Sequence, residues 1–261
     1  MRIAAHQFDV SDDKDTNLQQ IRKGVLAAAE AGARLAVLPE AAMVSFEADR
    51  ERIRTAAEPV DGPFVTTLRD LSRETGVACI VGVHEPSGEA RVYNTNVVVD
   101  GGELLAAYRK LHLYDALGHR ESEHVTPGAA LPPVVEIDGV RVGVLTCYDL
   151  RFPEVFRVLV DAGAEVVTVS AAWVRGLYKE EHWNTLLKAR AIENTCWIAA
   201  SGEVGARNCG NSQIIDPFGV VVAGVGEEPG SCYADVELER VRTVRAKLPS
   251  LEHRRFDVVM R

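Results

Sequence analysis

"VVEIDGVRVGVLTCYDLRFPE", residues 134–154, contains the two features from which the fold class can be predicted. Apolar residues run on both sides of Asp138-Gly139, a dipeptide typical of the tight turn in a β-hairpin. The second strand ends at Cys147, and Pro153 suits the first turn of a following helix because its missing N–H would have no partner there. Two-residue turns join antiparallel strands, whereas parallel strands need long crossovers, so hairpins interspersed with helices predict a mixed sheet.

The rest of the chain repeats this mixture of hairpins and helices. Gly101-Gly102 separates two apolar strands, and a third hairpin is predicted within residues 211–225. The first helix is predicted to begin at Asp15 or Thr16 as N-cap and to stop at Gly32, with an apolar face made of Leu18, Ile21, Val25 and Leu26. Further strands are predicted at residues 1–8, 34–40, 77–85, 164–172 and 196–203, and further helices at 64–75, 153–163, 179–195 and from about 236.

These elements fit an α/β architecture in which two mixed sheets are stacked face to face, with helices on both outer sides. Residues 31–40 and 162–171 both lead from the end of a helix into a buried strand. This similarity means either that the chain has two similar halves or that any junction between a helix and a buried strand has such a sequence. No linker or shift in composition interrupts the 261 residues, so we read a single domain over 1–261.

The composition limits the partners and the compartment that we expect. A net charge of −9 without any run of Lys and Arg argues against nucleic-acid binding. The N-terminus lacks a signal-peptide pattern, and no apolar run approaches the roughly 20 residues of a membrane-spanning helix. The five cysteines include no C-x-x-C pair, which favours free thiols in the cytoplasm over a zinc site. His119 and His124 lack H-E-x-x-H spacing, which argues against a helical zinc site.

Cys147 is the strongest candidate for a reactive group. A strand, a tight turn and a helix meet at its thiol, an arrangement similar to the turn that presents a nucleophile in hydrolases. The free N–H groups of such a turn favour an anion, so we expect them to help form the reactive thiolate. The alternative is that Cys147 is a small buried apolar residue, as most free cysteines are.

Two further charged residues also end predicted strands. Glu40 follows five mostly apolar residues, which would desolvate its carboxylate and suit it to act as a general base. Lys110 ends the strand of residues 103–110 and could hold a developing oxyanion. Glu40 could instead cap a helix, and Lys110 could be an ordinary exposed lysine. Because Cys147, Glu40 and Lys110 all stand at the ends of predicted strands, a shared catalytic site is a better interpretation than three unrelated roles.

The stretches "LAVLPE", "YRKLHLYD" and "GVLTCYDLRFPE", in this order, resemble the nitrilase superfamily of carbon–nitrogen hydrolases. The likeness continues through "RESEHVTPG", "HWNTLLKARAIENTCWIAA" and "GNSQIIDPFGVVVA", nearly to the end of the chain. The resemblance implies an α-β-β-α sandwich. It also implies acyl transfer in which Cys147 is the nucleophile, Glu40 the general base and Lys110 a stabiliser of the tetrahedral intermediate. This mechanism would need neither a metal nor an organic cofactor.

The resemblance assigns further residues to the site. Glu121 would be the second glutamate of the family, with Glu123 as a nearby competitor, although His119-Arg120 replaces the aromatic residue usual before it. The backbone N–H of Tyr148 would join Lys110 in holding the oxyanion.

The substrate follows from likeness to the ω-amidase and deaminated-glutathione amidase group, which implies a linear amide bearing a carboxylate. We expect Arg175 to bind that carboxylate, because its planar fork pairs with carboxylates, unless it is simply a solvated surface arginine. Arg151 is interpreted as tying down the turn. Trp173 and Tyr114 are expected to line the pocket, although either could be ordinary packing.

The family usually pairs through helices, so we expect a homodimer or a higher homo-oligomer. The helix after Pro153 and the tail at about 237–261 are the expected contacts. The alternatives within the same chemistry are an N-carbamoyl amino acid hydrolase and a nitrilase. The alternatives of a different class are a cysteine redox sensor and a non-catalytic interaction module.

Overall fold

The computed structural model describes residues 1–88 and 90–260. Its strands are β1 (Arg2–Gln7), β2 (Leu35–Val37), β3 (Ala78–Pro86), β4 (Val92–Asp100), β5 (Glu103–Arg109), β6 (Val134–Ile137), β7 (Val140–Thr146), β8 (Val166–Ala171), β9 (Trp197–Gly202), β10 (Gln213–Ile215), β11 (Val221–Gly224) and β12 (Gly230–Asp235). Its α-helices are α1 (Lys14–Glu30), α2 (Arg50–Ala56), α3 (Pro63–Thr75), α4 (Pro153–Asp161), α5 (Lys179–Asn194) and α6 (Leu238–Lys247).

The strands form two six-stranded mixed sheets, as predicted. The first sheet has the order β12-β1-β2-β3-β4-β5 and the second β11-β10-β9-β8-β7-β6. In the first, β1, β2 and β3 are parallel, and in the second β7, β8 and β9 are parallel, while every other pairing is antiparallel. The two similar segments, residues 31–40 and 162–171, lead into β2 and β8, each the middle one of the three parallel strands of its sheet. The similarity therefore reflects two halves with the same strand topology.

The sheets pack face to face, and the helices cover their outer faces. Side chains alternate along β1, so that Ile3 and Ala5 belong to the core between the sheets, while Ala4 packs with α1 and α3 on the outer face. The other sheet is covered by α4 and α5, whose buried residues include Phe156 and Leu187. The order of layers is helix, sheet, sheet, helix, which confirms the predicted sandwich.

Some local predictions were wrong. The N-cap of α1 is Asp13, whose carboxylate accepts a hydrogen bond from the N–H of Thr16 at 2.7 Å, and not Asp15 or Thr16 themselves. Leu26 is exposed because Gly24 and Ala28 occupy the buried face of α1 instead. Two elements were not predicted: α2, which buries only two of its seven residues, and β12, a short edge strand that pairs with β1.

The chain begins and ends in the same sheet, because β12 pairs antiparallel with β1. As predicted, helix α6 begins near Val236, and the chain after it is irregular as far as Met260. Of the helices in the described parts of the chain, none is long and apolar enough to cross a membrane.

Candidate active site

Strand ends from both sheets bring four predicted residues into one cavity of about 170 Å³. The first sheet supplies Glu40, three residues after β2, and Lys110, directly after β5. The second sheet supplies Cys147, directly after β7. Glu121 comes from a single 3-10 turn, Glu121–Glu123, in the segment of chain that connects β5 of the first sheet to β6 of the second.

The carboxylate of Glu40 is buried and held by donors from three elements. Oε1 accepts hydrogen bonds from Lys110 Nζ at 2.9 Å and from Asn94 Nδ2 at 2.7 Å. Oε2 accepts from the backbone N–H of Ala172, directly after β8, at 2.7 Å. Glu40 is 1% exposed, so these donors replace its hydration and fix its orientation.

Lys110 bridges Glu40 and the second glutamate. Its Nζ donates to the two carboxylate oxygens of Glu121 at 2.8 and 3.1 Å, and the N–H of Tyr114 donates to Glu121 Oε2 at 2.6 Å. Burial by itself would lower the pKa of Lys110, but the charges of Glu121 and Glu40 outweigh it and raise this pKa well above its ordinary value. Lys110 therefore stays cationic.

The competing glutamate lies outside the cluster. Glu123 is exposed and forms an ion pair with Arg50 at 2.5 Å. The structure thus brings Glu121, and not Glu123, to Lys110.

Cys147 lies in a tight turn after β7, as predicted, and its backbone there is strained. Its φ is +44°, in the left-handed region that a residue with a side chain rarely adopts. The 3-10 turn Cys147–Arg151 is fixed by the buried Asp149, whose carboxylate accepts from the N–H of Thr146 at 3.0 Å and from the hydroxyl of Tyr108 at 2.8 Å. His112 Nδ1 lies 2.8 Å from the other oxygen of Asp149.

The expected thiolate is not favoured at rest. Burial first, and then the negative charge of Glu40, raises the pKa of Cys147 well above its ordinary value, and Lys110 offsets this rise only in part. The prediction failed because helix α4 begins only at Pro153, whereas desolvation acts on the sulfur directly. The resting side chain is a thiol, so attack requires a base.

The other four cysteines lie elsewhere in the core. All five are buried and unpaired. Burial raises the pKa of Cys79, Cys196 and Cys209 to about 12 and that of Cys232 to about 11. Of the five, Cys147 alone lines the cavity with Glu40 and Lys110.

The structure does not bring Arg175 to this cavity. Its Nε donates to the carbonyl of Asn208 at 2.8 Å, and its Nη1 lies 3.5 Å from Glu227. The arginines that line the cavity are Arg120 and Arg207. A position in the loop after β8 could be read from the sequence, whereas the direction of the side chain could not.

The predicted aromatic residues lie beside Cys147. Tyr114 lines the cavity. Tyr114, Tyr148 and Trp173 line a second void of about 10 Å³ that also reaches Cys147, together with Lys179. The indole N–H of Trp173 donates to the carbonyl of Lys179 at 2.8 Å, and Lys179 Nζ donates to the Tyr114 hydroxyl at 3.1 Å. Arg151 lies over the Trp173 ring, 4.8 Å from its centroid, and so braces this wall.

Sequence reasoning missed several polar groups of the site. Asn94 donates to both Glu40 and Glu121, Asp149 holds the turn, and Glu203 lines the cavity. Asn94 and Asn96 are amides within a strand composed mainly of β-branched and aromatic residues, a signal that could have been read. In the part of the chain that the structure describes, no cluster of His, Cys, Asp or Glu could hold a metal ion.

The chain is similar to known proteins along almost its whole length. Residues 2–246 match the family described as "Carbon-nitrogen hydrolase". A deaminated glutathione amidase of Escherichia coli O157:H7 is 43% identical over 256 residues, which cover 98% of each chain. Among solved structures, the C. elegans NitFhit protein gives a TM-score of 0.90 at 31% identity, covering 97% of this chain and 65% of that one.

A mutant amidase from Nesterenkonia sp. AN1, in which acrylamide has added to the active-site cysteine, gives a TM-score of 0.78 at 28% identity. The match covers 97% of this chain and 99% of that one. The family model and the Escherichia coli relative both cover nearly the whole sequence, and the chain belongs to the carbon–nitrogen hydrolase family.

Proposed function

We propose that the protein is a thiol-dependent amidohydrolase that cleaves a small linear amide through a thioester on Cys147 and releases ammonia. The observation that carries this proposal is the buried cluster of Glu40, Lys110 and Glu121 in one cavity with Cys147. The amidase activity named for the Escherichia coli relative supports it. The cysteine adduct of the Nesterenkonia amidase supports the proposed nucleophile.

The first step transfers a proton within the cluster. Glu40 takes the proton of the Cys147 thiol while the sulfur attacks the carbonyl carbon of the amide. The buried charge does not change in this transfer, because one anion is neutralised as another forms. Lys110 and the backbone N–H of Tyr148 then stabilise the oxyanion of the tetrahedral intermediate.

In the rest of the reaction Glu40 acts in turn as acid and as base. Protonated Glu40 gives its proton to the leaving nitrogen, so that ammonia departs and a thioester remains on Cys147. Glu40 then takes a proton from water as the water oxygen attacks the thioester carbonyl, and the new tetrahedral intermediate collapses with cleavage of its C–S bond. The expelled sulfur takes that proton back from Glu40, so the carboxylic acid product leaves and the Cys147 thiol and the Glu40 carboxylate are restored. Glu121 keeps Lys110 and Asn94 in place throughout.

The substrate that we propose carries a carboxylate. Arg207 lines the cavity with a largely exposed side chain, 3.8 Å from Glu47, and can turn toward a bound anion. Arg175 is already bound to Asn208 and lies outside the cavity wall. We therefore assign the carboxylate first to Arg207, with Arg175 as the competing candidate, and assign the aromatic wall of Tyr114 and Trp173 to packing against the acyl chain.

The test is a side-by-side assay of ammonia release from succinamate, α-ketoglutaramate, N-carbamoyl amino acids and simple nitriles. We expect the two carboxylate-bearing amides to react fastest, and mass spectrometry to show the matching acyl group on Cys147. Preferred hydrolysis of an N-carbamoyl amino acid or a nitrile would replace the proposed substrate class. A protein inactive on the whole panel would contradict the enzymatic proposal and revive a redox or interaction role.

Two arginine variants separate the substrate contacts. Arg207→Ala should raise the KM for succinamate with little change in kcat, because the guanidinium binds the substrate and does not take part in the chemistry. Arg175→Ala is the matched control and should leave KM unchanged. The opposite pattern would return the role to Arg175.

We propose further that the whole chain forms one hydrolase domain that pairs through α4 and the C-terminal tail. The tail leaves large apolar side chains in solvent, among them Phe256 at 88% and Val259 at 82% exposed, and residues 254–258 lie against α4. Such apolar exposure is typical of a contact surface. Light scattering should give the mass of a dimer or more, and removal of residues 248–261 should give a monomer.

We also propose a reducing compartment, the cytoplasm, because all five cysteines are free and none forms a disulfide. Cell fractionation tests this assignment.

A further inference from the structure

Glu203 is a wall residue of the cavity that the proposed mechanism does not use. It follows β9 directly, and its backbone is fixed on both sides: its N–H donates to the carbonyl of Ala171 at 2.7 Å, and its carbonyl accepts from the N–H of Gly210 at 2.9 Å. Ala171 precedes the residue whose N–H holds Glu40. Glu203 thus stands on the second sheet, beside the segment that orients the proposed base.

The carboxyl group of Glu203 differs from the other buried acids of the site. Glu203 is 2% exposed, and Oε2 has no hydrogen-bond partner among residues 1–88 and 90–260. Glu40 has three donors, and Asp149 is also fully bonded. A buried polar atom without a partner is costly, and in a binding cavity it is the atom that a ligand satisfies.

The surroundings of this carboxyl favour its protonated form. Burial first, and then the negative charges of Glu40, Glu47 and Asp9, raises the pKa of Glu203 well above its ordinary value, while the Asn208 side chain opposes the rise only in part. Lys110 pairs with Glu40 at 2.9 Å and with Glu121 at 2.8 Å, and not with Glu203. A neutral carboxylic acid has one O–H to donate.

We propose that Glu203 is a protonated carboxylic acid that donates a hydrogen bond to an oxygen of the substrate remote from the amide that is cleaved. This inference rests on the proposed function and deepens it. The donor would favour a linear amide whose far end carries a carboxylate or carbonyl oxygen. It would disfavour an amide with a methyl group there, which leaves the O–H unpaired, and one with an ammonium group, which has no lone pair to accept the bond.

Three amides of equal length provide the test: succinamate, butanamide and 3-aminopropanamide, which end in a carboxylate, a methyl and an ammonium group. Each is assayed with wild type, with Glu203→Gln, which keeps an N–H donor, and with Glu203→Leu, which removes the donor. We expect wild type to prefer succinamate. Glu203→Leu should lower kcat/KM for succinamate about 10- to 100-fold through KM and leave butanamide nearly unchanged. Glu203→Gln should stay within about threefold of wild type, since an amide N–H makes a hydrogen bond of similar strength.

Two outcomes would overturn the proposal. Equal losses on all three amides in Glu203→Leu would show a purely structural role. A wild-type preference for 3-aminopropanamide that Glu203→Gln abolishes would show an ionised carboxylate that pairs with a cation.

Calorimetric binding of succinamate to Cys147→Ala, with and without Glu203→Leu, gives the same comparison without turnover. The binding result stands even if wild type hydrolyses none of the amides, so failure of the proposed function and failure of the Glu203 proposal remain distinguishable. Equal affinity with and without the Leu substitution would reject the role of Glu203.

Discussion

Strands β2 and β8 hold equivalent places in the two sheets, yet the residues that follow them contribute different functional groups to the site. Beyond β2 the chain presents the carboxylate of Glu40, whereas beyond β8 it presents the backbone N–H of Ala172, which binds that carboxylate, and the uncharged side chain of Trp173. The contrast extends to the neighbouring strands. The first sheet contributes the charged groups, Glu40 and Lys110, whereas the second contributes the thiol of Cys147 and the neutral acid of Glu203.

The difference shows how duplicated topology can serve a reaction that needs unlike groups. A proton can pass from sulfur to carboxylate only if the two groups lie within hydrogen-bond reach of each other, and Cys147 and Glu40 line the same cavity. Placing the charges on one sheet and the protonated groups on the other achieves this. The following predictions test whether the two walls divide the work in this way.

The largest effect is expected on the second wall, at Cys147. Cys147→Ala should lower kcat/KM by about 10⁴-fold or more, because no other group can form the thioester. Cys196→Ala, a buried cysteine outside the cavity, is the matched control and should keep the activity of whatever fraction folds. Activity is measured as ammonia release, and folding by circular dichroism. Substantial turnover by Cys147→Ala would remove the second sheet from the chemistry.

A smaller loss of activity is expected when Glu40 is changed, together with a higher reactivity of the Cys147 thiol. Glu40→Gln should lower kcat by about 10³-fold, since the general base is lost. The same change removes the negative charge that raises the pKa of Cys147, so this pKa should fall and the thiolate fraction at neutral pH should rise. Alkylation of Cys147 by iodoacetamide at pH 7 should therefore be faster than in wild type.

The sign of the alkylation result is decisive. Slower alkylation in Glu40→Gln would mean that the carboxylate activates the thiol more than its charge suppresses ionisation. In that case the first sheet would not carry the charged groups and the second sheet the protonated ones in the enzyme without substrate.

Lys110→Met tests the charged wall itself. It leaves Glu40 and Glu121 buried together without their cation, which should destabilise the fold by about 3–5 kcal/mol and lower kcat by about 10²-fold in the remaining folded protein. Urea unfolding measures the first effect. Arg50→Met, which breaks the exposed pair with Glu123, is the control and should cost at most about 1 kcal/mol. Equal costs would contradict the buried network.

The smallest effect is expected at Gly128, which supports Lys110 from behind. Its N–H donates to the carbonyl of Lys110 at 2.8 Å, and an added Cβ would come within 2.2 Å of the carbonyl oxygen of Arg109. Gly128→Ala should therefore displace Lys110, lower kcat/KM about tenfold and destabilise the protein by about 1–3 kcal/mol. Gly226→Ala, where an added Cβ meets nothing within 4 Å, should be nearly neutral in both assays.

The sequence predicted those parts of the site that depend on where strands end. Hairpin turns predicted the mixed sheets, and Glu40, Lys110 and Cys147 were grouped into one site because each of them ends a predicted strand. The direction of the Arg175 side chain and the burial of Glu203 depend on how the loop of residues 203–210 packs, which no local pattern encodes. The protonated state of Cys147 likewise depends on desolvation and on its distance from Glu40, both of which are tertiary quantities.

The hydrogen bond from Ala172 to Glu40 joins residues 132 positions apart and crosses from one sheet to the other. The orientation of Glu40 therefore depends on the packing of the two sheets against each other. Neither sheet with its helices could be catalytic as an isolated fragment, nor could a folding intermediate in which the sheets are separated. During denaturation, enzymatic activity should vanish together with the near-ultraviolet signal of packed aromatic residues, making turnover a sensor of the native sandwich.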